Sequence, residues 1–94
     1  MEKQEYAAKS VVIGRKPRKQ EDMFKTAFIK IYDKTNPLDA EDFPLKELDF
    51  PDIRKVVLHT SPVDYFLEGN DLVYDNITKV TIEIESKTIH VKVE

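Results

Sequence analysis

Residues 80–93, Val-Thr-Ile-Glu-Ile-Glu-Ser-Lys-Thr-Ile-His-Val-Lys-Val, alternate apolar and polar on both sides of a short turn. Side-chain direction along a strand has a period of two, so the pattern reads as a hairpin with one buried and one wet face. With Glu85 opposite Thr88 across a Ser86-Lys87 turn, Ile84 faces Ile89, Ile82 faces Val91 and Val80 faces Val93. All six apolar side chains then share one face. Thr81 and His90 fall on the other, His90 opposite Glu83, where substitution at Thr81 is expected to be nearly neutral. A hairpin of this kind sets the fold class as mainly β and carries no chemistry of its own.

The rest of the chain reads as further short strands. Residues 4–9 suggest the start of a short helix, and residues 10–13 read as a strand. Residues 14–20 form a polar, basic connection broken by Pro17. In residues 23–32, Phe24, Phe28 and Tyr32 share one parity with Thr26 and Lys30, and Ala27, Ile29 and Ile31 share the other. Apolar groups on both faces predict a central strand or a barrel strand. Residues 33–53 are the least regular part. Pro37, Pro44 and Pro51 would break any ladder they entered, and a turn of helix fits residues 45–48. Residues 55–60 read as a strand. Residues 63–67 and 72–74 flank Glu-Gly-Asn-Asp, a plausible hairpin turn. In that register Asp64 stands opposite Asp75, a like-charge pair that costs stability, so either the register differs or the strands splay. The expected architecture is a small antiparallel β-barrel or sandwich of six to seven short strands with one long irregular loop.

Size and composition narrow the function classes. A chain of 94 residues suits a single domain, residues 1–94, with one small core and little room for an enclosed active site. Without cysteine there is no disulfide, thiolate nucleophile or Cys-based zinc site. The opening Met-Glu-Lys-Gln-Glu does not read as a signal peptide, and no apolar run approaches the roughly 20 residues of a membrane helix. A cytoplasmic protein is the expectation. Asn76-Ile77-Thr78 matches a glycosylation acceptor, a short pattern read as chance here. The two histidines, His59 and His90, have no nucleophile in a suggestive arrangement, and only two glycines are present, so no phosphate-cradling loop is visible. Asp64, Glu68, Asp71 and Asp75 lack the spacing of a calcium loop. The expectation is a protein that is not an enzyme, with no cofactor and no metal.

Charge is unevenly distributed although the net value is only −3. Residues 9–19 carry five bases and no acid, whereas residues 39–52 carry six acids against Lys46. Two electrostatic ends are predicted, and two candidate surfaces follow. Arg15, Lys16, Arg18 and Lys19 suit contact with phosphates, and Phe24, Phe28 and Tyr32 beside them suit base stacking if exposed. The second candidate is the twice-repeated Asp-Phe-Pro, with Asp42, Phe43, Asp49 and Phe50 as a docking element for a protein partner. The bland alternative is that Phe43, Leu45, Leu48 and Phe50 pin the long segment to the core. Burial of Phe24, Phe28 and Tyr32 with exposure of Phe43 or Phe50 would favour protein docking, and exposure of any of those three rings beside the basic stretch would favour nucleic-acid binding.

Phe43-Pro44-Leu45-Lys46-Glu47-Leu48-Asp49-Phe50, then Val56-Val57-Leu58 and Ser61-Pro62-Val63-Asp64, resembles a stretch in small accessory proteins of Gram-positive integrative conjugative elements. Those proteins carry a Pro-Leu-Lys-Glu-aromatic-Asp-aromatic segment, a strand and a turn containing Pro-Val. Here Pro51-Asp52 follows the second aromatic, and the turn is longer. The resemblance implies a β-rich accessory protein of DNA transfer. The function expected is a non-enzymatic binding module acting through protein–protein contact, and the resemblance implies that a mobile genetic element encodes it. The alternative is a single-stranded nucleic-acid binder using residues 15–19.

Overall fold

The computed structural model describes residues 2–17, 25–37, 43–51 and 53–94. These form nine strands and no helix: β1 (Glu2–Ala7), β2 (Ser10–Pro17), β3 (Lys25–Tyr32), β4 (Lys46–Phe50), β5 (Lys55–Thr60), β6 (Asp64–Glu68), β7 (Asp71–Asp75), β8 (Lys79–Glu85) and β9 (Thr88–Val93). They make two sheets, in the orders β1-β8-β9-β5 and β4-β3-β2-β7-β6. Neither sheet closes on itself.

The terminal hairpin has the register that its alternation implies. Val80 pairs with Val93, Ile82 with Val91 and Ile84 with Ile89. Five of these six side chains are fully buried, and Ile84 packs against them from the rim. The main core joins them to Val11, Ile13, Ala27, Ile29 and Ile31 of the other sheet. The chain crosses between sheets at short links whose apolar residues, Ala8, Ile53 and Ile77, are also buried. Backbone bonds tie these links together: the Ala8 N–H donates to Thr78 O at 3.2 Å and the Ile77 N–H to Lys9 O at 3.1 Å.

The two-faced pattern of residues 25–32 places β3 inside its sheet, between β2 and β4. Ala27, Ile29 and Ile31 enter the main core, while Phe28 and Tyr32 join Val12, Val73 and Phe66 in a second cluster on the opposite face. Gly14 sits opposite Phe28. A Cβ at Gly14 would lie 2.6 Å from the Phe28 ring and collide with the Asp71 carboxylate, so the ring covers the glycine closely. The Lys30 ammonium lies 5.5 Å from the same ring's centroid.

Several expectations are corrected. Residues 2–7 form a strand, not the start of a helix. β1 is an edge strand whose Lys3 and Glu5 face solvent, so its apolar alternation is thin. Lys3 lies 3.6 Å from Glu5 and 4.0 Å from Glu83, and Lys79 reaches Glu5 at 3.5 Å. Residues 46–50 form β4, not a helical turn, because Leu48 and Phe50 alternate onto the core while Glu47 and Asp49 face outward. The long irregular loop is shortened accordingly, and nine strands replace six to seven. Pairing is not antiparallel throughout: β5 runs parallel to β9. Thr81 is buried despite its polar parity, on the floor of a trough that the long side chains of Lys3, Lys79 and Lys92 also line. A bulky substitution there is therefore not neutral.

The β6–β7 hairpin keeps Asp64 opposite Asp75. The pair is answered by local donors instead of by slippage. The Asn76 side-chain amide donates to Asp64 at 3.1 Å, and the backbone N–H groups of Asn36 and Asn76 both donate to Asp75 Oδ1 at 2.9 Å. Both asparagines have φ of 53°, a conformation that asparagine tolerates better than most residues.

Candidate functional site

The basic stretch is not a free loop over its described length. Arg15 and Lys16 lie within β2, opposite Ala27 and Thr26. Ordinary strand pairing explains this, since β2 continues past Gly14 to Pro17. Arg18 and Lys19 fall outside the described residues. Of the aromatics considered for base stacking, Phe28 is 7% exposed and Tyr32 is 6% exposed, and Phe24 falls outside the described residues. Both described rings are core, so neither offers a stacking platform.

The acidic candidate splits. Asp42 falls outside the described residues. Phe43 is 87% exposed, and Leu45 beside it is also exposed. Asp49 is exposed on β4, opposite Phe28. Phe50 is half-buried and packs on the main core with Leu48. The period of two explains the division, since Leu48 and Phe50 share the inward parity of the strand. Among the described residues of the two charged stretches, Arg15 and Asp49 lie on strands of one sheet, β2 and β4, with β3 between them. Arg15, Ala27 and Phe50 lie in one cross-strand row, which puts Arg15 two strands, roughly 10 Å, from Phe50.

Another exposed apolar feature among the described residues lies at the far edge of the same sheet. β6 is terminal there, bonded to β7 alone among the described strands. Its Tyr65 and Leu67 are 68% and 70% exposed. They share a face with Tyr74 and Leu72, their partners on β7. Thr60, Ser61, Pro62 and Val63 line an open concavity with Tyr65, Leu72 and Tyr74. Tyr65 and Tyr74 have ring centroids 6.3 Å apart at 52°. Burial raises the Tyr74 phenol above its ordinary 10.0, and Tyr65 adds to the rise. Leu58, on the edge strand of the other sheet, is also partly exposed. The sequence pattern identified the β6–β7 hairpin but not the exposure of Tyr65 and Leu67 on it. The signal was available: Tyr65 and Leu67 alternate with Asp64, Phe66 and Glu68, so both parities carry apolar groups.

A second feature lies on the outer face of the four-stranded sheet. His59 and His90 stack with ring centroids 5.4 Å apart, and His59 Nε2 lies 3.2 Å from His90 Nδ1, so one imidazole donates to the other. The parallel β5–β9 pairing brings them together, which is why separate readings of the two histidines did not. His90 is half-buried opposite Glu83. Around the pair the charges neutralise one another, for example Lys92 with Glu94 at 3.1 Å. Among the described residues no group of three or more His, Cys, Asp or Glu is placed to hold a metal ion. No helix among them is long and apolar enough to cross a membrane. No family model, curated protein or solved structure matches the chain.

Proposed function

We propose that this chain is a single-domain, cytoplasmic, non-enzymatic binding module that works through protein–protein contact. The observation that carries the reading is the division of its large apolar side chains. Phe28, opposite Gly14 at the start of the basic stretch, and Tyr32, opposite Ser10, are buried, whereas Phe43, Leu45, Tyr65 and Leu67 are exposed at the two edges of one sheet. Exposed aromatics of this kind anchor protein interfaces, while single-strand binders need accessible rings along a basic groove. The architecture we propose is an open two-layer sandwich, supported by one core cluster drawing side chains from both sheets. The resemblance of residues 43–64 supports placing the module among accessory proteins of a mobile genetic element.

The alternative, single-stranded nucleic-acid binding through Arg15, Lys16, Arg18 and Lys19, retains its charges but loses Phe28 and Tyr32 as stacking partners. The two readings predict opposite mutants. Capture of a partner from the native cell should survive nuclease treatment and fail when Phe43, Tyr65 and Leu67 are changed to lysine. Reversing the four basic residues to glutamate should leave it intact. Labelled single strands should show no binding at about 50 mM salt. Binding there that falls steeply by about 200 mM would favour the nucleic-acid reading instead.

A further inference from the structure

We infer that β6 is a strand-addition site, and that its ligand is an extended segment of a partner protein whose core reads basic, apolar, any, apolar, basic. The inference rests on the protein-docking reading above and names the partner's chemistry. β6 and β7 are joined by Gly69-Asn70, with Glu68 opposite Asp71 and Gly69 at φ 62°. A two-residue turn closes on a hydrogen-bonded pair, and hydrogen-bonded and non-bonded pairs then alternate along the ladder. Glu68, Phe66 and Asp64 therefore bond to β7. The N–H and C=O groups of Tyr65 and Leu67 point away from it, toward the open edge.

The two faces of that edge differ, and together they specify the ligand. On the core side, Tyr65 and Leu67 extend the apolar surface of Tyr74 and Leu72 past the last strand. A strand added there would lay apolar side chains beside them. On the opposite side, Phe66 lies between Asp64 and Glu68, backed by Asp75 and Asp71 on β7. Residues 64–75 contain four acids and no base. The positions of an added strand opposite Asp64 and Glu68 thus favour lysine or arginine, and acidic residues there would meet like charges.

The same charges disfavour a second copy of this chain as the occupant. Antiparallel self-pairing centred on Phe66 sets Asp64 of each copy against Glu68 of the other. Parallel in-register pairing sets each acid beside its own counterpart. Main-chain bonds supply affinity in strand addition and alternate side chains supply selectivity, so the partner is an extended segment with basic and apolar residues in alternation.

The test uses the full chain, labelled with nitrogen-15, and a blocked peptide with the core Lys-Val-Thr-Val-Lys. The expected result is saturable binding, with the largest amide shifts at Tyr65 and Leu67 and at their β7 neighbours. A control peptide with glutamate for both lysines should bind at least roughly tenfold more weakly. Leu67→Pro removes an outward N–H without touching the β6–β7 bonds, and should abolish binding. Should that variant not fold, Tyr65→Thr with Leu67→Thr keeps strand propensity and should weaken binding by a similar factor. Equal binding of the two peptides, no binding of either, or concentration-dependent dimerisation through β6 would overturn the inference. So would shifts centred on Phe43 and Leu45, but that result would leave the broader protein-docking reading standing.

Discussion

Ile82→Ala tests the core on which both sheets depend. Ile82 is fully buried, sits opposite Val91 and belongs to the cluster drawn from both sheets. The substitution removes three carbon atoms, worth about 2.4 kcal/mol of transfer at 0.8 kcal/mol each. A cavity that relaxes only partly adds to this, and the total should fall at about 3–4 kcal/mol, within the range for buried Ile→Ala changes. A domain of this size has roughly 5–14 kcal/mol of stability, so a substantial part would be lost. At about 4–8 °C per kcal/mol, Tm should drop by about 12–32 °C. Ile84→Ala is the internal comparison, because Ile84 lies on the same face of β8 but is only half-buried. It should cost about half as much. Urea unfolding followed by circular dichroism would measure both. A cost under about 1 kcal/mol for Ile82→Ala, or equal costs at the two positions, would refute the assignment of this face to the core.

Other consequences follow from local geometry. Ser86 occupies the terminal hairpin turn with φ of 58°, so Ser86→Gly should raise stability by about 0.5–1 kcal/mol, read as an increase in Tm. Gly14→Ala should destabilise by about 1–3 kcal/mol through collision with Phe28 and Asp71, and Phe28→Leu in the same chain should recover part of the loss. The Tyr74 phenol is held above 10.0, first by burial and then by Tyr65, so the folded state keeps its proton where the unfolded state loses it. This contribution to stability is fully present below pH 10.0 and is lost as pH rises through the folded value. Absorbance titration of the chain beside Tyr74→Phe should assign a late ionisation to Tyr74, and Tyr65→Phe should reduce the rise without abolishing it.

The fold was readable where one face of an element is dry and the other wet. The terminal hairpin and the central place of residues 25–32 both follow from parity, and so does the division of residues 46–50 once they are placed in a strand. What parity leaves undetermined is which strands neighbour one another. β1 carries a single large apolar side chain, Tyr6, and is held in part by pairing to β8, so its own residues signal little. The parallel β5–β9 pairing joins segments separated by a hairpin in the other sheet, and no local pattern encodes it. The stacked His59 and His90 were hidden for the same reason. Tyr65 and Leu67 read as an ordinary strand in isolation. Their meaning comes from β6 being terminal in its sheet, which is a property of the whole topology.

Amide hydrogen exchange of the chain, free and bound to the protein it captures in its native cell, tests the central claim most directly. In the free chain the Tyr65 and Leu67 amides should exchange fast, since both face the open edge, while the Phe66 amide is protected by β7. In the complex, Tyr65 and Leu67 should become protected by at least roughly tenfold, with Phe66 little changed. Tyr65 and Leu67 amides that stay fast in the complex, with new protection confined to residues around Arg15, would contradict the account.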